Sequence, residues 1–584
     1  MKKYILLLCI SALAFTGCDQ DELDIPQKGV LPIDNFYKTD ADAEAALVGV
    51  YFDTHKNFAK SDDEYNYGPI FGLTNFQSDN MYLAGSGVGD CVMQREYQQF
   101  RYANDNPVPL AAYTAFYRSI HKCNLVINNF TEEKVGTLSP TMKRCIAEAR
   151  VMRAYDHMML GIYWGTPPIV EEVLSGDSRP ENAESQDAVM DWVVKEIDLA
   201  LPDLTERQGP DDQAGAVKIT KGFANAIKGK ALIWKGDYNG AKTPLKAVIT
   251  SGNYALLPSE DMIKIGHADG KATSESVFEF NVTPDPDVVT SEPVQRRAGW
   301  NDHMTFNWRF ENFNGNLGPD AQINNNGWGW LNPTGKFARD LIANDGMESA
   351  RRKAWIKTYD EVLYDHQWES DGDDFAPGRT AFKETDPNRG VGGNAGFIYG
   401  NEGYFCWKIV VHKDQGDLNA INGGWDRNLS LMRYAEVLLL YAEACAQTTD
   451  DDGLGLQSLQ AIQNRAQSDY VSSSLTLEDV QKEKMFELWL EGTRSVDLIR
   501  WGKTETLEKQ GYYVAHLRDE LQEGIGGVHK AYIDETDDDY PATYYLDEYG
   551  EGNIGFKKGK HELLPFPKTV MDLNTALEQN PSWN

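Results

Sequence analysis

Apolar residues recur at helical spacing along much of the chain, and residues typical of helix ends bracket these segments. Ser139 followed by Pro140 has the pattern of an N-cap and a first helical residue, so we predict a helix that continues to about Tyr163. Similar signals predict four more helices, which are Thr220 to Trp234, about Asn239 to Ser251, Leu429 to Ala446, and Leu477 to Leu490 behind a capping-box-like Thr476 with Asp479. The chain is therefore expected to be mainly α.

Two of these helices carry small residues at the positions where paired helices touch. Ala224, Ala226, Gly229 and Ala231 lie on the first helix, and Ala241 lies on the second. An aromatic residue and a turn separate the two helices, as in tetratricopeptide repeats, although no strict period of about 34 residues recurs. We therefore predict degenerate tetratricopeptide-like units.

The pattern changes between about residues 253 and 425, where Gly, Asn, Asp and Pro are frequent. Short strand-like pieces occur in this stretch at residues 277–280 and 407–411. Long loops in a compact protein usually serve its function. The sequence thus predicts a helical scaffold that carries a loop-rich, strand-poor insertion, which faces a ligand.

The first residues have the pattern of an export signal. Lys2 and Lys3 form a positive start, and residues 4–15 are an apolar or small stretch that is too short to span a bilayer. Phe15-Thr-Gly-Cys18 resembles a bacterial lipobox, in which the cysteine is lipidated and becomes the mature N-terminus. The alternative is an ordinary signal peptide with an incidental cysteine. No later segment approaches the ~18 apolar residues of a membrane span, so we expect only the lipid to hold the mature chain at a membrane.

The charge of the chain narrows the choice of partners. Among 584 residues, 56 are Lys or Arg and 89 are Asp or Glu, which gives a net charge of −33. So acidic a surface argues against a nucleic-acid partner and against electrostatic docking on anionic lipid. Five cysteines follow the signal and the lipobox, and they are Cys91, Cys123, Cys145, Cys406 and Cys445. Their spacing does not match a zinc site, and we expect most of them to be buried. A single disulfide bond between two of them is kept as an alternative.

Motifs of common enzyme and metal sites are missing from the sequence. There is no H-E-x-x-H, P-loop or G-x-S-x-G, and the glycines of residues 390–395 lack the flanking pattern of a strand and a helix that dinucleotide binding requires. The acidic runs at 450–453 and 537–539 lack the alternating ligand spacing of a calcium loop. We therefore expect no cofactor, no metal and no catalytic residue. With 89 acidic residues, chance carboxylate pairs are certain, so a glycosidase-type pair stays an open alternative.

The tryptophans are concentrated in the loop-rich stretch. Eight of the 14 lie between residues 300 and 425, and asparagines are interleaved with the first four. Flat aromatic faces pack against the C–H faces of sugar rings while amides and carboxylates meet hydroxyl groups, so this composition favours a sugar-binding surface. The alternative is that most of these rings anchor loops to the core. The cluster consists of Trp300, Trp308, Trp328, Trp330, Trp355, Trp368, Trp407 and Trp425.

We select seven candidate ligand-binding residues from two loops. Trp328-Gly-Trp330 is the sharpest candidate, because the glycine permits close approach and side chains two apart in an extended segment share a face. An aromatic-polar loop early in the chain supplies three others. The full set is Trp328, Trp330, Trp300, Trp308, Tyr82, Asp79 and Asn80. Five tryptophans in or beside helical segments are expected in the core instead; they are Trp164, Trp192, Trp234, Trp489 and Trp501.

Five ordered signatures resemble those of the SusD/RagB family of Bacteroidetes outer-membrane lipoproteins. The strongest N-terminal one begins with Ala147-Glu-Ala-Arg and ends at Val170, and the strongest C-terminal one includes Arg433-Tyr-Ala-Glu and Glu483-Lys-Met. The last triplet departs from the more frequent Glu-Arg-Arg, a change that concerns packing. The C-terminal signature continues to residues 497–502, the other signatures lie at 39–51 and 116–124, and the ending at 563–567 and 580–583 also matches.

The resemblance implies a non-catalytic, glycan-binding lipoprotein at the outer surface of the outer membrane. It would lie over a SusC-like TonB-dependent transporter and pass oligosaccharides or polysaccharides to it. The acidic run at 19–24 is either a solvated spacer or similar to the signal for export to the outer leaflet. Charged signature residues would form structural ion pairs inside the helical stack; they are Arg150, Arg153, Glu436, Glu443, Glu491, Arg494 and Asp497.

The predicted organisation has five parts. They are a signal peptide at 1–17, a lipidated tether at 18–38, an N-terminal helical region at 39–252, a loop-rich ligand-facing region at 253–425 and a C-terminal helical region at 426–584. Two rival functions are kept, a surface glycoside hydrolase and a lipoprotein of the same scaffold that binds peptide or another nutrient. The sequence does not identify the glycan, because ring stacking tolerates many sugars.

Overall fold

Helices dominate the structure, in agreement with the predicted mainly-α class. The computed structural model describes residues 36–59, 68–83, 92–282, 331–358, 404–410, 427–508 and 554–583. The N-terminal helices are α1 (Asp40–Ala59), α2 (Pro69–Asn75), α3 (Val92–Gln98), α4 (Pro107–Asn129), α5 (Glu132–Val135), α6 (Pro140–Trp164), α7 (Gln186–Ala200), α8 (Gln213–Ala216), α9 (Lys221–Trp234) and α10 (Tyr238–Ile249). The helices that follow are α11 (Gly335–Asp345), α12 (Ala350–Trp355), α13 (Tyr434–Ala446), α14 (Leu454–Arg465), α15 (Leu477–Glu487), α16 (Arg494–Arg500), α17 (Glu505–Glu508) and α18 (Lys568–Leu573).

Neighbouring helices pack in a continuous array, as the tetratricopeptide-like prediction requires. Helix α1 packs on α4, α4 on α6, α6 on α7, α7 on α9, α9 on α10, α10 on α13, and α13 on both α14 and α15. Gly229 lies where α9 meets α10, and a Cβ atom at this position would lie only 2.4 Å from the Leu245 side chain. The small residues predicted at this contact are therefore what lets the two helices approach.

Several helix ends follow the predicted capping chemistry. The Ser139 side chain accepts a hydrogen bond from the Met142 N–H at 3.1 Å, so α6 begins at Pro140 as expected. Thr476 accepts from the Asp479 N–H at 3.1 Å at the start of α15. Thr220 occupies the N-cap of α9 but its side chain makes no capping bond. Its hydroxyl lies 3.2 Å from the Tyr254 hydroxyl instead.

Within the described residues, the strands form three separate two-stranded antiparallel sheets. The strands are β1 (Met81–Leu83), β2 (Ser276–Phe280), β3 (Leu331–Pro333), β4 (Ile356–Thr358), β5 (Tyr404–Cys406) and β6 (Leu429–Arg433). They pair as β1 with β3, β2 with β6, and β4 with β5. Each sheet thus joins a part of the loop-rich region to a segment distant in sequence.

Two segments differ from their predicted structure. The sequence predicts one helix from Leu429 to Ala446, but Leu429–Arg433 is strand β6. The backbone of this segment pairs with β2, and the continuous apolar run gives no local signal for the change from strand to helix. The described part of the predicted strand at 407–411 is a turn, and the strand there is β5, which ends at Cys406. Strand β2 confirms the prediction at 277–280.

Helix α15 ends three residues before its predicted end at Leu490. The ammonium group of Lys408 donates to the backbone carbonyls of Glu487 at 3.2 Å and Trp489 at 2.7 Å, which occupies acceptors at the end of this helix. This contact comes from the loop-rich region, so local sequence around α15 does not predict it.

The C-terminal segment packs back on α6 and closes the fold. Asn580 Nδ2 donates to the backbone carbonyls of Trp164 at 2.9 Å and Leu564 at 2.6 Å, and Trp164 Nε1 donates to the Pro565 carbonyl at 3.0 Å. Trp164 is fully buried. None of the helices in the described parts of the chain has the length and hydropathy that crossing a bilayer requires.

Candidate functional site

The β1–β3 pair places residues 81–83 of the early aromatic-polar loop beside residues 331–333, which follow the tryptophan-rich segment in the sequence. Tyr82 lies opposite Asn332, and Leu83 lies opposite Leu331, the residue that follows Trp330. The Thr334 N–H donates to the Asn80 carbonyl at 3.1 Å and extends this contact by one residue. The early aromatic-polar loop therefore lies beside the residues that directly follow the tryptophan-rich segment in the sequence.

Asp79 is held in an ion pair at this place. Its two carboxylate oxygens accept from Arg494 Nε at 2.7 Å and Arg494 Nη2 at 2.9 Å. Burial would raise the pKa of Asp79, but the guanidinium outweighs this effect and lowers the pKa below its ordinary value. The carboxylate is thus ionised and already engaged, and a role of Asp79 toward a ligand stays a prediction.

Asn80 is buried and contributes mainly its backbone. Its carbonyl also accepts from Trp489 Nε1 at 3.3 Å, while its side-chain Nδ2 has no hydrogen-bond partner within the described residues. The backbone of Tyr82 belongs to β1. Trp300, Trp308, Trp328 and Trp330 lie outside the described residues, so the assembly of the seven candidates stays a prediction.

Two members of the tryptophan cluster are described, and both are core residues. Trp355 and Trp407 are buried, and Trp355 Nε1 donates to the Phe486 carbonyl at 2.9 Å. The Lys408 ammonium lies 3.9 Å from the centre of the Trp355 ring. For these two rings the alternative of loop anchoring is right.

The tryptophans expected in the core fall into two groups. Trp164 and Trp489 are buried, which confirms the prediction for them. Trp192, Trp234 and Trp501 are only partly buried. Trp192 and Trp234 pack against the core, and Trp501 Nε1 donates to Glu443 at 2.8 Å.

All seven charged signature residues form ion pairs, as predicted. The pairs are Arg150 and Arg153 with Glu196, Glu436 with Lys230, Glu443 with Lys484 and Arg500, Glu491 with Lys408 and Arg433, Arg494 with Asp79, and Asp497 with Lys484 and Arg500. Most of their side chains are buried. These residues therefore hold helices together and are not offered to a ligand.

A buried ionic network ties the loop-rich region to the C-terminal helices. At its centre, the Glu487 carboxylate lies 2.5 Å from Arg465, 3.1 Å from Arg433 and 3.4 Å from Arg351. Burial would raise the pKa of Glu487, but these guanidinium groups lower it to about 2. Lys408 also belongs to the network, and burial lowers its pKa to about 8 although Glu491 opposes the shift.

A cavity of about 500 Å³ lies beside this network. Helices α1 and α2 and strands β2 and β6 contribute to its walls. Its aromatic side is formed by Tyr51, Phe52 and Phe58 of α1 and by Phe280 of β2. The Phe58 and Phe280 rings meet edge to face with centres 6.2 Å apart, which fixes this wall.

The carboxylates that line the cavity are both neutralised by cations. Glu436 accepts from the Lys230 ammonium at 2.8 Å, and Glu491 lies 2.5 Å from both Lys408 and Arg433. Burial would raise the pKa of Glu491, but Arg433 and Lys408 lower it below its ordinary value. Glu491 is thus not set up to donate a proton at neutral pH.

His55 and Lys56 are cavity residues that the sequence analysis did not select. A signal for them exists, because Tyr51, His55 and Phe58 are spaced four and three residues apart on α1 and so share one face. This face places His55 beside aromatic rings, as its contact with Phe280 shows. In the parts of the chain that the structure describes, no three His, Cys, Asp or Glu residues are grouped to hold a metal ion.

The described cysteines are free thiols. Cys123, Cys145, Cys406 and Cys445 are buried and none is bonded to another, as expected for most of the set. Cys91 lies outside the described residues. Cys18 and the export signal also lie outside them, so the lipid anchor stays a prediction.

Comparison with protein families relates the chain to one family over more than half of its length. The family model described as "SusD family" matches residues 265–583. A SusD-like protein of Bacteroides ovatus is 23% identical over 509 residues, which is 86% of this chain and 83% of that protein. A SusD-like protein of Formosa agariphila is 24% identical over 258 residues, or 43% of this chain and 47% of that protein.

Solved structures have the same fold. Surface glycan-binding protein A from Bacteroides thetaiotaomicron, solved in complex with laminarihexaose, aligns over 93% of this chain and 100% of its own, with a TM-score of 0.68 and 18% identity. A laminarin-binding SusD-like protein aligns over 94% of this chain and 100% of its own, with a TM-score of 0.67 and 20% identity. At this identity the likeness concerns the fold.

Proposed function

Because the chain belongs to the SusD family, we propose that it is a glycan-binding lipoprotein of the cell surface. It captures oligosaccharides or polysaccharides and passes them to a TonB-dependent transporter of the outer membrane. The observation that carries the proposal is the shared fold, which extends over 93% of this chain in a protein solved with laminarihexaose. Since the names of proteins with this fold describe binding of a glycan or of laminarin, a glycan is the ligand class with the most support.

The position of the β1–β3 pair supports a glycan site on the loop face. Leu331 is paired with Leu83 of the early aromatic-polar loop, and Trp328-Gly-Trp330 directly precedes Leu331 in the sequence. We propose that Trp328 and Trp330 supply stacking faces. Aromatic rings suit this role because they present a large rigid apolar face at little conformational cost.

The chain is proposed to perform no bond chemistry. A glycosidase needs one carboxyl group with a raised pKa as its acid and a second, ionised carboxylate nearby. In the described cavity, Glu436 and Glu491 are each paired with a cation, and the pKa of Glu491 is lowered. This arrangement suits a structural role for both carboxylates and supports a binding protein over a hydrolase.

The test is a double Trp328→Ala/Trp330→Ala variant of the mature chain. Each site ring is expected to contribute ~1–2 kcal/mol beyond burial, so the affinity for a glycan selected on an array should fall by about one to two orders of magnitude. Thermal unfolding should be nearly unchanged. Affinity electrophoresis and isothermal titration calorimetry measure the binding.

Trp234→Ala is the matched control, since Trp234 lies partly buried at the end of α9 and away from β1 and β3. This control should lower stability and leave glycan affinity unchanged. If the double variant binds glycan normally, or if it unfolds, the rings belong to the core and this site assignment is wrong.

A further inference from the structure

The cavity between α1, α2, β2 and β6 has the size and the walls of a small-molecule site. Its volume of about 500 Å³ falls within the range of ~300–1,000 Å³ that is usual for such sites. Tyr51 and Phe52 line it and are only partly buried, so part of each side chain remains accessible. Accessible rings in a concave site offer stacking surface to a sugar or another flat apolar face.

Polar groups along the cavity have hydrogen-bonding capacity to spare. His55 has no hydrogen-bond partner within the described residues, and its one ring contact is with Phe280, with centres 5.8 Å apart. Burial lowers the pKa of His55 to about 4, so at neutral pH one ring nitrogen donates and the other accepts. Asn281 and Ser430 line the cavity and are exposed. An amide, a hydroxyl and a neutral imidazole together suit the hydroxyl groups of a sugar.

Among the described residues that line the cavity, cationic side chains outnumber carboxylates, although the whole chain has a net charge of −33. The lining carboxylates of Glu436 and Glu491 are both paired with cations. Lys56 lines the cavity and, within the part of the chain that the structure describes, has no ion-pair partner. An ammonium group at a partly enclosed surface attracts a carboxylate more strongly than it would in bulk water.

We propose that this cavity is a sugar-binding site separate from the loop face, and that it takes a sugar that carries a carboxylate, such as the uronic-acid unit of an acidic glycan. The Lys56 ammonium pairs with the carboxylate, the rings of Tyr51 and Phe52 pack against the sugar ring, and His55 bonds a hydroxyl group. This inference rests on the proposed function, because only a glycan-binding protein has a reason to carry a second sugar site. It adds a substrate class, acidic glycans, that the family membership does not specify.

The test compares two matched pairs of monosaccharides, glucuronate with glucose and galacturonate with galactose. Saturation-transfer NMR and calorimetry on the full mature chain should detect at least one uronate, bound about tenfold more tightly than its neutral counterpart. Lys56→Gln should remove this difference, because it deletes the charge and keeps a side chain of similar length. Lys143→Gln is the control, since Lys143 is an exposed lysine on α6 outside the cavity lining, and it should preserve the difference.

Several results would overturn the proposal. They are equal binding of uronates and neutral sugars, no binding of either, or an undiminished preference in a folded Lys56→Gln variant. The Trp328→Ala/Trp330→Ala variant separates this inference from the proposed function, because it should retain uronate binding while it loses affinity for longer glycans. If the wild type binds a polysaccharide and no uronate, only the cavity assignment fails. If it binds no oligosaccharide or polysaccharide at all, the proposed function fails.

Discussion

Asp156 is a carboxyl group buried in the helical array without a cation beside it. It lies on α6 with no exposed surface, and the Ser119 hydroxyl beside it opposes the effect of burial on its pKa. Burial raises the pKa of Asp156 well above the value of 3.8 that it has in an unfolded chain. The group therefore favours folding below about pH 4, and this contribution is lost as the pH rises through the folded-state pKa.

We predict that Asp156→Asn stabilises the protein at pH 8, because the wild-type carboxyl group must either take up a proton or bury a charge on folding at this pH, and the amide does neither. The gain should shrink as the pH approaches 4, where the wild-type group is protonated in both states. Urea unfolding at the two pH values measures the difference in the free energy of unfolding. A variant that is no more stable than the wild type at pH 8, or that gains the same amount at both pH values, would contradict this account of Asp156.

Residues differ in how well their structural environment can be predicted from the local sequence. The ion pairs of Arg153 and Glu443 could be predicted, because a charge inside an apolar helix must find a partner. Asp156 could not, since periodicity places polar residues toward solvent and α6 is covered by α1, α4 and α7. His55 was missed for the same reason, as its environment is set by β2, which lies more than 200 residues later.

At the scale of elements, the central link is Arg351. It lies on α12 in the loop-rich region and bonds Asp345 at 2.7 Å, Glu483 and Glu487, with no exposed surface. The carboxylates come from α11 and α15, so one guanidinium holds three helices together. This contact crosses the predicted boundary at residue 425.

Arg351→Met should destabilise the protein by about 3–5 kcal/mol, because it leaves buried carboxylates without their cation. Lys353→Met is the matched control on the same helix. The Lys353 ammonium lies 2.5 Å from Glu348, but both side chains are exposed, so its loss should cost less than ~1 kcal/mol. Denaturant unfolding of the two variants gives the comparison, and equal losses would mean that the network does not hold the elements together.

Elements with their own end signals could be predicted, and junctions set by distant contacts could not. Ser139 and Thr476 mark the starts of α6 and α15 in the local sequence. The change from β6 to α13 depends on pairing with β2, and the end of α15 coincides with bonds from Lys408. Both partners lie far away along the chain.

At the scale of the whole molecule, attachment to the membrane is predicted to depend on Cys18 alone. The residue follows Phe15-Thr-Gly and would carry the lipid. Cys18→Ala should release the chain from membrane fractions, since the described helices include none that could span a bilayer. The wild-type protein, extracted with mild detergent, should migrate with a large β-barrel partner. A Cys18→Ala chain that stays bound to membranes would contradict the lipid anchor. A wild-type chain that migrates alone would contradict the transfer to a transporter.

The fold class and the family could be predicted because the signatures are ordered and extend along the chain. The family match at residues 265–583 covers the C-terminal signatures. The predicted domain boundaries stay predictions. The glycan could not be predicted, since ring stacking tolerates many sugars and the seven candidates do not fix a geometry by themselves.

The most direct test of the account is to measure binding and turnover of the same glycans by the purified mature chain. A glycan array followed by calorimetry identifies ligands, and a reducing-end assay on each of them detects bond cleavage. We predict saturable binding of at least one polysaccharide or oligosaccharide with no release of reducing ends. Binding of no glycan, or release of reducing ends that a single Asp or Glu substitution abolishes, would contradict the central claim that this chain captures glycans and does not cleave them.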